Sequence, residues 1–421
     1  MKGIKRRSIP ILLLVLAYST AIIVVGVHRS AGLDETSDFH GVFWNSGRNF
    51  SSGEPLYEPR IHGFLNNPPL GAFISLPFHW LPLRTSALVW FLINGLLMPP
   101  LVIGLLWRIL DHVGVDTKKR WIILLLSVFV SVGFFWNNLI MFNINYFLFF
   151  FILLGIHFLL RDKQKGSIAI FTILGFVKLL PIALAFYVLF FRFSKRVLLS
   201  FFFTILLCLA LPALIRGPDR WVEDHREYFR EVLTPYVKEG RICATATNHS
   251  LKAAYAKALH PEARENANVY PADYQGLARL IYLSQLVLLG MLAARGIVLL
   301  RRGSRFSLSF LSSLLLFMHL YSGLTWSAHL VTMSFCILPF LLIDPGKLTY
   351  AGKTFWFSFL FIILALSLEG SDTFGRSVYS AVRYWDVYTL LMLLLFGFNF
   401  WLMIRKNPEH VLRDGLDATL I

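Results

Sequence analysis

The chain has 421 residues, 56% of them hydrophobic and 39 of them Phe, with a mean hydropathy of +0.63 and a formal charge of +16. This composition excludes a soluble globular protein, and apolar runs of about 20 residues along the whole length fit membrane helices, not the short alternating strands of a barrel. The basic excess falls in short loops between apolar runs, the positive-inside pattern of membrane proteins, which argues against a nucleic-acid partner.

The first apolar run, Ile9 to Val27, follows Lys2, Lys5, Arg6 and Arg7. It is long for a signal peptide and has no small-x-small cleavage site after it, so it reads as a retained span. Further basic clusters follow at Arg108 with Lys118-Lys119-Arg120, at Arg161 to Lys165, at Arg192 to Arg196, at Arg295 to Arg305, at Lys347 with Lys353, and at Arg405-Lys406. An excursion across the membrane between each pair predicts an all-α polytopic bundle of about twelve membrane elements, with both termini cytoplasmic. Residues 1–404 form one membrane domain on this reading, and 405–421 a cytoplasmic tail. No internal repeat or low-complexity tract divides it further.

The apolar stretch Ser167 to Phe191 is long for one span and too short for two. Two half-length helices broken at Lys178-Leu179-Leu180-Pro181 keep the later basic loops on one side, because Pro181 cannot continue a helical ladder and Lys178 needs a wet or protein-lined cavity. The alternative is a kinked helix whose lysine snorkels. The outward loops are then residues 28–85 and 216–275, with shorter ones at 136–145, 322–329 and 369–386. In the first, Leu70 to Leu83 carries Pro77 and Pro82 and lies along the interface or re-enters. In the second, Gly217-Pro218-Asp219 starts a helix with Trp221, His225, Tyr228, Phe229 and Val232 opposite Glu223, Arg226, Glu227 and Arg230. That is an amphipathic surface helix or a small core-packing one.

Cys208, Cys243 and Cys336 are too scattered for a disulfide framework or a metal site. Candidate chemistry therefore rests on polar groups at outward span ends: Asp38, Asn143-Ile144-Asn145, Lys178, Asn248-His249-Ser250, and His329 in Trp326-Ser327-Ala328-His329. A carboxylate suits a general base, while lysine, histidine and amides suit a bound phosphate. There is no Walker motif, no dinucleotide fingerprint and no sizeable cytoplasmic domain to bind a nucleotide-linked donor, so a donor of such a phosphate would come from the membrane. Asp34, Glu35 and Asp38 could chelate a divalent cation, but the scheme requires no metal and no cofactor.

The run Ser37-Asp38-Phe39, Phe43-Trp44, Gly53, Leu56-Tyr57, Phe64 and Pro68-Pro69 resembles the first loop of GT-C glycosyltransferases that use polyprenyl-phosphate sugars. More specifically, it resembles the family holding the mycobacterial polyprenol-phosphate-mannose-dependent mannosyltransferases. In the same order, Asn143-Ile144-Asn145 is similar to that family's Gly-Gln-x-Asn, Lys178 to Pro181 to its Lys-x-x-Pro, Asn248 to Leu251 to its Asn-Gln-Ser-Leu, and Ser322 to His329 to its Ser-Pro-x-Ser-Trp-x-x-His. Departures are Asn67 for the tyrosine of Tyr-Pro-Pro, Phe142-Asn143 for Gly-Gln, and Gly323 for proline; they bear on the donor sugar and the pocket's shape. The resemblance implies an inverting transfer from a polyprenyl-phosphate donor, mannose first among the sugars, to a lipid or glycan hydroxyl. It implies Asp38 as general base, with Asp34 or Glu35 as alternatives, and Lys178 and His329 on the donor phosphate. Asn145, Asn248, Ser250, Tyr57 and Trp326 would orient substrates. The site would face outward from the cytoplasmic membrane. The rival readings are a transporter or flippase of lipid-linked sugars, and an assembly subunit.

Overall fold

The computed structural model describes residues 9–33, 37, 39–57, 67–260, 268–271, 274–303, 306–368 and 371–404. Asp34, Glu35, Asp38 and the 405–421 tail lie outside them. Among the described residues the fold is all-α apart from one antiparallel pair of two-residue strands, Ile242–Cys243 with Asn268–Val269.

Among the described residues, five helices are long and apolar enough to cross a membrane, including Lys195–Arg216, Gln275–Arg301 and Tyr350–Ser367. Two bent pairs, Thr117–Val130 with Val132–Ile140 and Gly375–Arg383 with Val387–Met403, raise the count to seven. The difference from about twelve has a physical cause. Several apolar runs fold as helices of 10–17 residues, such as Asn145–Leu160, Gln164–Val177 and Leu308–Leu320, too short for a hydrocarbon layer of about 30 Å. A helix apolar on every side must be buried by protein or by lipid. Asn145–Leu160 takes the first course, with Phe149, Leu153 and Ile156 fully buried, whereas Lys195–Arg216 leaves Leu199, Phe203 and Leu206 exposed.

The stretch Ser167 to Phe191 is two helices. Gln164–Val177 ends at Lys178, whose backbone is extended, and Ile182–Phe191 begins after Pro181. The halves pack together closely, since a Cβ added to Gly175 would lie 2.8 Å from Ile182 Cβ. Glycine is what permits that approach.

The first loop folds into short helices, Asn45–Ser52, Pro69–Ile74 and Leu76–His79. Gly53, at φ 80°, stops the first of them, and Pro69 starts the second at a position where a missing N–H costs nothing. The large loop supplies the helix Pro218–Tyr228. Of the two sequence readings, the core-packing one describes its inner face: Tyr228 and Val232 cluster with Phe50, Leu56, Tyr57, Ala72 and Leu76 of the first loop, while Phe229 is exposed.

Arg216 joins the two loops. Its Nε and Nη2 donate to both carboxylate oxygens of Asp224 at 2.8 Å, Nη1 donates to Asn49 O at 2.6 Å and Phe50 O at 3.1 Å, and Nη2 also donates to Glu54 O at 2.7 Å. All five guanidinium N–H groups are thus matched inside the protein. Arg216→Gln strands three backbone carbonyls and leaves Asp224 only the Arg220 guanidinium, 3.3 Å away, as counter-charge, a loss of about 2–4 kcal/mol. A marked fall in thermal midpoint of the detergent-solubilised protein is expected; an unchanged midpoint would refute the role given to this pair.

Candidate active site

A cavity of about 440 Å³ opens where the broken helix, the two loops and the segment after Leu320 converge. Lys178, Leu179 and Leu180 line it from the helix break, Asn143 and Ile144 from the preceding turn, and Val42, Phe43 and Asn67 from the first loop. Tyr228, Val232, Tyr236, Arg241 and Lys252 come from the large loop, and Tyr321 to Leu324, Trp326 and His329 complete the wall.

Lys178 Nζ donates to Asn145 Oδ1 at 2.8 Å. Asn145 Nδ2 in turn donates to Asn143 Oδ1 at 2.7 Å and to Ala328 O at 3.4 Å. Asn138 Nδ2 donates to the same carbonyl at 3.2 Å, and Asn137 Nδ2 to Ser327 Oγ at 2.5 Å. This amide cluster fixes the lysine to the 3-10 helix Ser327–Thr332, which carries His329. There the backbone N–H of Trp326 donates to His329 Nδ1 at 2.8 Å. With Nδ1 accepting, the neutral imidazole carries its hydrogen on Nε2 and remains a donor. Trp326 also lines the cavity, and its indole N–H is buried without a hydrogen-bond partner among the described residues. A buried donor of that kind is costly unless a ligand oxygen meets it.

The other sequence candidates stand one layer back. Asn248 accepts from Ser250 N at 3.0 Å and Thr325 N at 2.9 Å, and donates to Cys243 O at 2.6 Å and Gly323 O at 3.0 Å. Its amide is spent on backbone, and it ties the large loop to the 322–326 wall. Ser250 Oγ accepts from Ala253 N at 3.3 Å and caps the helix Leu251–Leu259. Tyr57 OH donates to Asn67 O at 2.7 Å, behind the lining Asn67. Asp38 lies outside the described residues; four positions on, Val42 lines the cavity.

Sequence reasoning missed Arg241, Lys252 and the three lining tyrosines. Lys252 directly follows Asn248-His249-Ser250-Leu251, which was a usable signal. Nothing local marks Arg241. Among the described residues no three His, Cys, Asp or Glu side chains converge as a metal site would require.

The family model for glycosyltransferase family 87 matches residues 64–323, more than half of the chain. The chain belongs to glycosyltransferase family 87. Searches among curated proteins and among solved structures gave no match. The family match takes in Asn143, Asn145, Lys178, Asn248, Arg241 and Lys252. Tyr57, Trp326 and His329 lie beyond its ends, and their tie to the cavity is the geometry just described.

Two outcomes follow for the supporting layer. Asn248→Ala strands four backbone partners, two of them fully buried, and is expected to cost about 2–4 kcal/mol, read as a lower thermal midpoint. His249, in the loop beside it, is 1% exposed with its ring 4.3 Å from that of Tyr388. Burial, reinforced by Lys257 and Arg383, lowers its pKa from 6.5 to about 3. The unfolded chain takes up this proton near 6.5 and the folded one only near 3. Its contribution is therefore complete above 6.5 and is lost as pH falls toward 3, by at most about 1.4 kcal/mol per pH unit. His249→Gln should flatten the acid side of a midpoint-against-pH curve; an unaltered slope would refute this.

Proposed function

We propose that this family 87 glycosyltransferase moves a sugar from a polyprenyl-phosphate carrier to an acceptor hydroxyl on a lipid or glycan. The reaction takes place at the outer face of the cytoplasmic membrane. The observation that carries the reading is the cavity itself, where Lys178, held by Asn145, and His329, held by the Trp326 backbone, meet across a broken helix. Mannose is the sugar the motif resemblance favours. Counting the short apolar helices as membrane elements, the bundle has about twelve, with cytoplasmic termini.

Lys178 and the His329 Nε2–H bind the donor phosphate and stabilise the charge that grows on it as the bond from the anomeric carbon to phosphate oxygen breaks. The acceptor oxygen attacks from the opposite side, its proton passes to Asp38, and the electron pair of the broken bond leaves with the phosphate. The anomeric carbon inverts. The carrier's tail stays in lipid while its head enters the cavity, so no soluble nucleotide sugar is needed. Membership of a glycosyltransferase family favours this reading over a flippase or an assembly subunit.

Purified protein with a polyprenyl-phosphate-sugar donor tests it. Asp38→Asn is expected to lower turnover by about 10² to 10⁴ with donor binding kept. Lys178→Ala should weaken donor binding by about tenfold or more. Near-normal turnover in Asp38→Asn would remove the base from this scheme.

A further inference from the structure

The cavity holds more positive charge than one donor can balance. Lys178, Arg241 and Lys252 all line it, and its described lining includes no Asp or Glu. A sugar linked through a polyprenyl monophosphate is a phosphodiester and carries a single negative charge. Even with Asp38 ionised beside the donor, one of the three permanent cations is left over.

Arg241 and Lys252 are also held differently from Lys178. Arg241 follows Gly240 at φ 68°, and its guanidinium stacks 5.3 Å from the Tyr236 ring centroid. Its Nε donates to Asn268 Oδ1 at 2.8 Å, across the short strand pair. Lys252 stands in the first turn of Leu251–Leu259, half-buried. Neither has an ion pair among the described residues, in contrast to Arg216 and Lys257, whose charges are matched by Asp224 and Asp386. Burial lowers the Lys252 ammonium below the ordinary lysine value, which marks an uncompensated charge. A desolvated cation of this kind is retained at a cost unless an anion arrives to meet it.

We propose that Arg241 and Lys252 form a second anion subsite, which takes a phosphate-type group additional to the one held by Lys178 and His329. The inference rests on the reading of Lys178 as the donor-phosphate ligand. The second phosphate has two sources, the headgroup of an anionic acceptor lipid or the second phosphate of a diphosphate carrier.

Equilibrium binding to the full-length protein in neutral detergent separates these. The probes are farnesyl phosphate, farnesyl diphosphate, and dioleoyl phosphatidylglycerol against neutral dioleoylglycerol. The double variant Arg241→Gln with Lys252→Gln should keep farnesyl phosphate affinity within about twofold and lose about tenfold or more for one of the two other anions. Loss on phosphatidylglycerol, with dioleoylglycerol unaffected, assigns the subsite to an anionic acceptor; loss on farnesyl diphosphate assigns it to the carrier. Lys252→Arg should restore most of the affinity. Unchanged affinity for both anions overturns the subsite. Should Lys178→Ala leave farnesyl phosphate binding intact, the donor reading fails instead, and the double variant's result still decides whether the anion site exists. If the double variant does not fold, judged by gel filtration, the single half-buried substitution Lys252→Gln carries the same test.

Discussion

A guanidinium with no water to satisfy it governs how the loops meet. Arg216 has its side chain wholly buried together with that of Asp224, and such a charge survives only where every donor finds an acceptor and a counter-ion lies against it. The acceptors available are the two Asp224 oxygens and the carbonyls of Asn49, Phe50 and Glu54. Those carbonyls belong to the last turn of a first-loop helix and the residues after it, where intrahelical partners have run out. One side chain thereby sets the first loop against the helix Pro218–Tyr228, and the cavity walls built from Val42, Phe43 and Asn67 on one side and Tyr228 and Val232 on the other inherit that geometry.

The same rule operates within the apolar bundle. Irregular backbone buried in protein is tolerated only where other groups satisfy its N–H and C=O. The segment after Leu320 is irregular, and side chains close its bonds. Asn248 takes Gly323 O and Thr325 N, Thr325 Oγ1 donates to His319 O at 2.7 Å, and Asn138 and Asn145 share Ala328 O. The break at Lys178 faces this segment across the cavity. The amides gather there because two interruptions of helix face each other, and the chamber is the space between the interruptions.

How much of this was legible in the sequence follows from which signals are local. The membrane class, the helix break before Pro181 and the pairing of Lys178 with His329 came from hydropathy, proline chemistry and motif order, all read along the chain. The number of full spans did not, because an apolar run looks the same whether protein or lipid covers it, and Asn145–Leu160 is covered by protein. The helix Pro218–Tyr228 had two readings for a related reason: periodicity gives an apolar face without saying what it meets. Arg216 and Arg241 were invisible as site residues, since each acquires meaning from partners or cavity walls that are far away in sequence. Asn248 shows a further limit. A motif says that an amide is needed, and only the hydrogen-bond inventory says that its four positions go to backbone.

That inventory also narrows the chemistry. The cationic and imidazole groups of the lining are donors: the Lys178 ammonium, the His329 Nε2–H, and the cations Arg241 and Lys252. Donors of this sort stabilise oxygens that gain negative charge, which is the demand of a departing phosphate. They do nothing to activate a nucleophile, which requires a proton acceptor of the right basicity. The described lining supplies no carboxylate for that task, so a transfer that needs a base must recruit it from a segment outside those residues. The chain order leaves Asp38 one position before the fully buried Phe39 and four before the lining Val42. In the proposed reaction the described walls serve the leaving group, and the nucleophile's half falls to the acidic stretch before Phe39.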